Sequence, residues 1–485
     1  KEETVEPCWI HRHDLQTGEI VTLSRPLQPD YAFIDLNRQG THLIYSRRDR
    51  SASGRQFYLL DVEGEEDREI LNYGDKIKVY ARWLPDGENI VFTSESTGKG
   101  PQEHISLGVY GVKDGQVRWL VDDPSRGIEG FFVSPDGLMV VNEMRQANHC
   151  ATFIDPQTGV ERRFPSLPGN LVPLGRAADG MWVGMYYAAN APAELVRFAE
   201  SAGSLAELTS LTRVWEHTTL KPAELTTAED FAWQSVDGME IHGWLYRAKP
   251  EARRAPARAV IFIHGGPTSH SENRLNPQIQ YYASRGFNVL DVNYRGSTGY
   301  GLKFRNAIKE DGWGGREQQD IAAGARALID QGLAQEGKLG VTGTSYGGYS
   351  SWYLITHFPP ELIAASAPIC GMTDLVVDYQ TTRPDLRPYS EEMMGGRPDQ
   401  APERYYERSP INFVQDIRGK LMIIQGALDP NVSPENVRQV REKLEEHKIP
   451  YELLVFDDEG HGIGKPVNQE RLYPAIAEFF ERAMG

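Results

Sequence analysis

Cysteine is almost missing from this chain. Cys8, Cys150 and Cys370 are the only three, an odd number set far apart. That pattern is no disulfide framework and suits a reducing compartment, so the cytoplasm is the expected location. Long apolar runs are missing too: no window approaches the ~18 consecutive apolar residues of a membrane span, and the opening "KEETVEPCW" is polar. No membrane partner is expected. Positive charge is in deficit, with 51 Lys and Arg against 68 Asp and Glu for a formal charge of −17, and no basic run offsets it. Such a field repels phosphate backbones, which argues against nucleic acid as a partner. Cys8, His11 and His13 have no second cluster to complete a metal site, so they read as a surface strand. The chain starts at Lys1 rather than Met, and the reading allows for a removed upstream segment, a signal peptide included.

What is present is turn chemistry in a regular rhythm. At 485 residues, two or three domains are expected. Gly18, Gly64, Gly115, Gly159 and Gly203 form one series, while Gly40, Gly87, Gly137 and Gly180 form another that interleaves with it. Asp-Gly or Thr-Gly between short β-branched runs reads as a hairpin. Two hairpins per ~45 residues make four strands per repeat, the size of one β-propeller blade. An irregular β-sandwich is the alternative. One series has a member more than the other, so the chain begins inside a blade, and a small or truncated propeller of about four to five blades is expected over 1–222.

Over 223–485 the texture changes. One more hairpin turns at Asp237-Gly238, and then "AVIFI" (259–263), "NVLDV" (288–292), "KLGVTG" (338–343), "LMIIQG" (421–426) and "ELLVF" (452–456) read as strands buried on both faces. Between them, Ile321, Ala325, Leu328 and Ile329 recur at helical spacing, as do Val437, Val440 and Leu444. This alternation predicts an α/β hydrolase fold with a doubly wound, mostly parallel sheet.

Gly343-Thr344-Ser345-Tyr346-Gly347 matches G-x-S-x-G between a strand and a helix-like run, where a nucleophile elbow would fall. Gly343 and Gly347 are read as permitting the strained turn, Gly348 as letting the helix approach the sheet, and Gly340 as merely starting the strand. A serine needs a base and an orienting acid, which in this fold follow in the order Ser, acid, His past later strand ends. Asp429 in "QGALDPNV" and His461 in "DDEGHGIG" meet that order. Asp457 and Asp458 are rivals read as solvated loop charges, and His264, His270 and His357 do not lie beyond the acid. "FIHGGP" supplies an oxyanion pocket from the backbone N–H groups of Gly265 and Gly266, with the N–H of Tyr346 as a further donor. "GSTGYG" (296–301) has the wrong glycine order for a dinucleotide fingerprint, and no cofactor or metal is expected. Asn431 heads a formal glycosylation acceptor, discounted because it abuts Asp429.

With "IHGGP", "NYRGSTGYG", "GWGGREQQD", "TGTSYGGY", "SPINF", "IIQGALDPNV" and "DDEGHGI" in this order, the chain resembles the prolyl oligopeptidase family of serine peptidases, most of all its acylaminoacyl-peptidase branch. The resemblance implies that Ser345, Asp429 and His461 are the charge-relay residues, that Gly265, Gly266 and Tyr346 form the oxyanion hole, and that a propeller caps the active site. The family's propeller usually has about seven blades against the four to five here, and the family more often has glycine where Thr344 stands. The expected activity is hydrolysis of short peptides, in acylaminoacyl-peptidase or dipeptidyl-peptidase manner, through an acyl-enzyme. A carboxylesterase of the same fold is the alternative, and an inert propeller binding protein the third reading. Homo-oligomerisation is left open.

Overall fold

The computed structural model describes residues 9–23, 34–48, 55–63, 67–71, 80–94, 104–124, 126–134, 137–164 and 166–485. The chain divides into two compact units. One holds the residues up to Met185 with Leu195–Thr212 and Gly301–Lys303; the other holds Tyr186–Glu194, Arg213–Tyr300 and Phe304–Gly485.

The N-terminal unit consists of small sheets whose strands are neighbours in chain order. Among the described residues, a two-stranded sheet, His11–His13 with Ile20–Thr22, precedes four sheets of four strands each. The turn glycines sit where the two series require. Gly40, Gly87, Gly137 and Gly180 link first strand to second in the full sheets, while Gly115 and Gly159 link third to fourth, all at positive φ. Gly18 links the two strands of the opening sheet, also at positive φ. The turn chemistry is local and repeated: in "DLQTG" the Asp14 carboxylate accepts the N–H groups of Gln16 and Thr17, and in "DPQTG" Asp155 accepts those of Gln157 and Thr158.

Gly203 departs from this pattern, because it lacks a positive φ and lies in a longer connection where the Glu207 carboxylate accepts its N–H. Gly64 and Cys8 lie outside the described residues. Each sheet shares its core with the next: Ile10 and Leu23 pack with Tyr45 and Leu60, Ile44 and Phe57 with Trp83 and Phe92, and Val91 and Leu107 with Met139 and Ile154. Phe153 and Trp182 continue the series, their ring centroids 4.8 Å apart. This succession of four-stranded meanders is the propeller architecture.

In the C-terminal unit, one eight-stranded sheet has the spatial order Ala228–Gln234, Glu240–Tyr246, Phe287–Asn293, Arg258–Ile263, Leu339–Thr344, Ala365–Ile369, Lys420–Gly426 and Glu452–Phe456. The first two form the hairpin about Gly238, and from Phe287–Asn293 onward neighbours pair in parallel. Helices Arg316–Asp330 and Glu435–Glu446 bury Ile321, Ala325 and Leu328, and Val437, Val440 and Leu444, as their spacing predicts. The strand Ala365–Ile369 is absent from the sequence reading. Its "ASAPI" is poor in β-branched residues and carries a proline, yet every one of its residues is buried at the sheet centre.

Candidate active site

Ser345 stands between the strand Leu339–Thr344 and the helix Tyr346–His357, at φ 62° and ψ −119°. A serine takes that conformation only when its surroundings hold it. Here the Ser345 N–H donates to Ile369 O on the neighbouring strand at 3.0 Å, and Ser345 O accepts from the Tyr349 N–H at 2.9 Å. The flanking glycines are required by space as well as by the turn. A Cβ on Gly343 would lie 2.2 Å from Ile263 O, and one on Gly347 would lie 2.0 Å from the same atom. Gly348 faces Ile369 O and Gly371 in the same way. Gly340 does more than start the strand, because a Cβ there would meet the Phe480 ring at 2.6 Å.

Asp429 follows the strand Lys420–Gly426, and its side chain is sealed from solvent. Its Oδ1 accepts the N–H groups of Asn431 at 2.9 Å and Val432 at 3.0 Å, while its Oδ2 lies 2.9 Å from His461 Nδ1. A carboxylate so placed keeps the imidazole proton on Nδ1 and leaves Nε2 as the free base. The His461 loop abuts the elbow, since a Cβ on Gly462 would lie 3.6 Å from Thr344 Cγ2. Asp457 is exposed, and Asp458 pairs with Lys465 Nζ at 2.6 Å and with Asn468 Nδ2 at 3.0 Å. Neither competes for His461.

Gly265 brings its backbone beside Ser345: a Cβ there would lie 3.9 Å from Ser345 Oγ and 3.0 Å from Thr344 O. The absence of a side chain at Gly265 is what leaves room for this close approach of backbone to Ser345. His264 holds the turn from below. It is buried, stacks on Tyr294, and places Nδ1 2.7 Å from Gly265 O and Nε2 2.8 Å from Ser297 Oγ; burial pushes its pKa down to about 4. The ring stays neutral. His357 is likewise structural, stacked on Tyr353 with its pKa lowered by burial, and His270 is engaged by Thr298 and Glu272.

Residues 273–485 match the sequence profile of the prolyl oligopeptidase family. That segment is of the prolyl oligopeptidase family. Dipeptidyl aminopeptidase BIII of Pseudoxanthomonas mexicana is 27% identical over 536 residues, spanning 99% of this chain and 77% of that protein. Dipeptidyl peptidase family member 6 of Caenorhabditis elegans is 32% identical over 235 residues, which is 47% of this chain and only 32% of the relative. Among solved structures, a Mycobacterium tuberculosis puromycin-hydrolyzing peptidase superposes with a TM-score of 0.81 at 23% identity over 96% of this chain and 71% of its own. A Pyrococcus horikoshii acylaminoacyl peptidase does so with 0.78 at 22% over 98% and 74%. Both likenesses are of fold.

Within this family fold, the sequence reading missed several buried polar groups around the site. Cys370, at φ 48°, lies beneath it with Sγ 4.0 Å from Gly460 O, and burial pushes its thiol pKa up to about 12. Asp378 is buried with Oδ1 unpartnered, and burial, with the charges of Asp429 and Asp374, pushes its pKa up to about 8. Glu459 fixes the His461 loop, its carboxylate accepting from the N–H groups of Gly464 and Lys465 and from Asn468 Nδ2. Cys370 and Asp378 acquire their surroundings from segments distant in the chain, whereas Glu459 draws its partners from the residues just beyond it.

Proposed function

We propose that this chain hydrolyses short peptides through an acyl-enzyme on Ser345, with residues 1–222 as the propeller domain and 223–485 as the catalytic domain. Ser345 Oγ attacks the scissile carbonyl as His461 Nε2 takes its proton, and Asp429 stabilises the imidazolium. The oxyanion is met by the N–H of Tyr346 and those of the Gly265–Gly266 turn. As the intermediate collapses, the C–N bond breaks and His461 hands its proton to the departing amine. Water then attacks the acyl-enzyme, giving one proton to His461, which returns it to Ser345. No metal or organic cofactor enters these steps.

The observation that carries this reading is the 2.9 Å contact of His461 Nδ1 with a sealed, doubly N–H-bonded Asp429, on a loop abutting the strained Ser345 elbow. The substrate class follows the relatives, which are named as dipeptidyl and acylaminoacyl peptidases. A reducing compartment, the cytoplasm, is proposed because Cys150 and Cys370 are both free. Among the described residues no helix is long and apolar enough to cross a membrane.

A fluorophosphonate probe tests the nucleophile, and the expected result is labelling of the wild type and none of Ser345→Ala. Anilides of dipeptides with free N-termini and of acetylated amino acids, run beside p-nitrophenyl esters, test the substrate. Turnover of at least one anilide series is expected; esters cleaved with no anilide turnover would replace peptidase by esterase.

A further inference from the structure

The Tyr346 N–H works as an oxyanion donor only if the peptide it shares with Ser345 keeps its strained orientation, and the far end of the Tyr346 side chain is unusually well tied. Its ring is fully buried against Trp313, Tyr294 and Tyr349, with centroids 5.6, 6.0 and 5.1 Å away. Its hydroxyl donates to Glu317 Oε1 at 2.8 Å. Glu317 is itself completely buried in the first turn of the helix Arg316–Asp330. The same Oε1 accepts the Gly314 N–H at 2.5 Å and Gln318 Nε2 at 3.1 Å, so all three donors are uncharged. Gln318 Nε2 also reaches Ser350 Oγ at 3.0 Å, giving the pair a second hold one turn further along the nucleophile helix. Glu317 Oε2 and Gln318 Oε1 have no partner.

A carboxyl buried without a cation costs stability, and an apolar side chain among these aromatic rings would avoid that cost. Burial pushes the Glu317 pKa up to about 7, against the hydrogen bonds from Tyr346 and Gln318. What the carboxylate supplies and an apolar group cannot is a fixed acceptor for the Tyr346 hydroxyl. We propose that Glu317 is a positioning residue: through the Tyr346 side chain it holds the Ser345–Tyr346 peptide so that the Tyr346 N–H meets the developing oxyanion. This rests on the reading of Ser345 as nucleophile and Tyr346 as donor.

The test compares wild type, Glu317→Ala, Glu317→Gln, Tyr346→Phe and the double variant Glu317→Gln/Tyr346→Phe for kcat, KM and thermal midpoint on a peptide anilide. Loss of orientation at a reacting group costs up to about a hundredfold. Glu317→Ala is expected to lose about thirty- to a hundredfold in kcat with KM within about twofold, while Glu317→Gln, whose amide oxygen still accepts the hydroxyl, retains more. Tyr346→Phe should lower kcat, and the double variant should lose no more than the worse single one, because both act through one bond. Should the alanine variant not fold, the glutamine and phenylalanine variants carry the test. Glu317 variants whose midpoint falls while kcat stays within twofold would overturn the proposal, and so would strictly additive losses in the double variant. Wild type that neither labels at Ser345 nor turns over would instead overturn the functional reading beneath it.

Discussion

Two buried carboxyls, Asp429 and Asp378, feel one another's charge, and they differ in how they are met. Asp429 receives two backbone N–H groups and an imidazole, whereas Asp378, buried with an unpartnered Oδ1, faces the charges of Asp429 and Asp374 instead. Its pKa is raised to about 8 from an ordinary value of 3.8. The folded protein therefore holds a proton on Asp378 that the unfolded chain has already released. Stability from this proton is fully present below about pH 4 and is lost as pH rises through about 8. Asp378→Asn keeps the neutral shape and removes the titration. Its thermal midpoint should match the wild type at pH 5 to within a few degrees and exceed it increasingly toward pH 8, each kcal/mol being about 2–4 °C in a unit of this size. A difference between the two proteins that stays constant with pH would refute the assignment.

Elements are joined here by close backbone approach, and the strand Leu339–Thr344 shows what that demands. Its Gly340 faces the Phe480 ring of the helix Pro466–Met484, and its Gly343 faces Ile263 O on the next strand. Phe480 is completely buried, so it has no room to give. Gly340→Ala should destabilise by about 1–3 kcal/mol, as overpacking does. Phe480→Leu in the same chain should recover part of the loss; thermal inactivation midpoints measure both, and an unshifted midpoint in Gly340→Ala would show that the helix yields. This contact was not legible in the sequence, because a glycine at a strand start has a sufficient local explanation and its partner lies at the far end of the chain. The turns at Gly40, Gly87, Gly137 and Gly180 were legible for the opposite reason, since a turn glycine at positive φ acts within a few residues and the spacing repeats. The order Ser345, Asp429, His461 was readable because each falls just past a strand end. Glu317, Cys370 and Asp378 were not, because burial and partners from other segments define them, and no spacing encodes either.

At the scale of the whole molecule the excess of acidic residues becomes a property of the reaction. A formal charge of −17 sets up a negative field that reaches about 30 Å at 10 mM ionic strength and about 8 Å at 150 mM. A peptide with a free N-terminal amine carries a positive charge into that field, and its acetylated twin does not. Attraction raises the local concentration and the encounter rate of the first without touching the bond-breaking step, so the effect belongs in kcat/KM and fades with salt. For one anilide in both forms, kcat/KM of the free-amine form should fall several-fold between 10 and 150 mM NaCl, while that of the acetylated form changes by less than about twofold. An equal fall in both forms would show that salt acts on the protein and not on the approach of the substrate. A fall confined to the free amine would mean that the composition of the whole chain biases the enzyme toward unblocked peptides before any pocket contacts them.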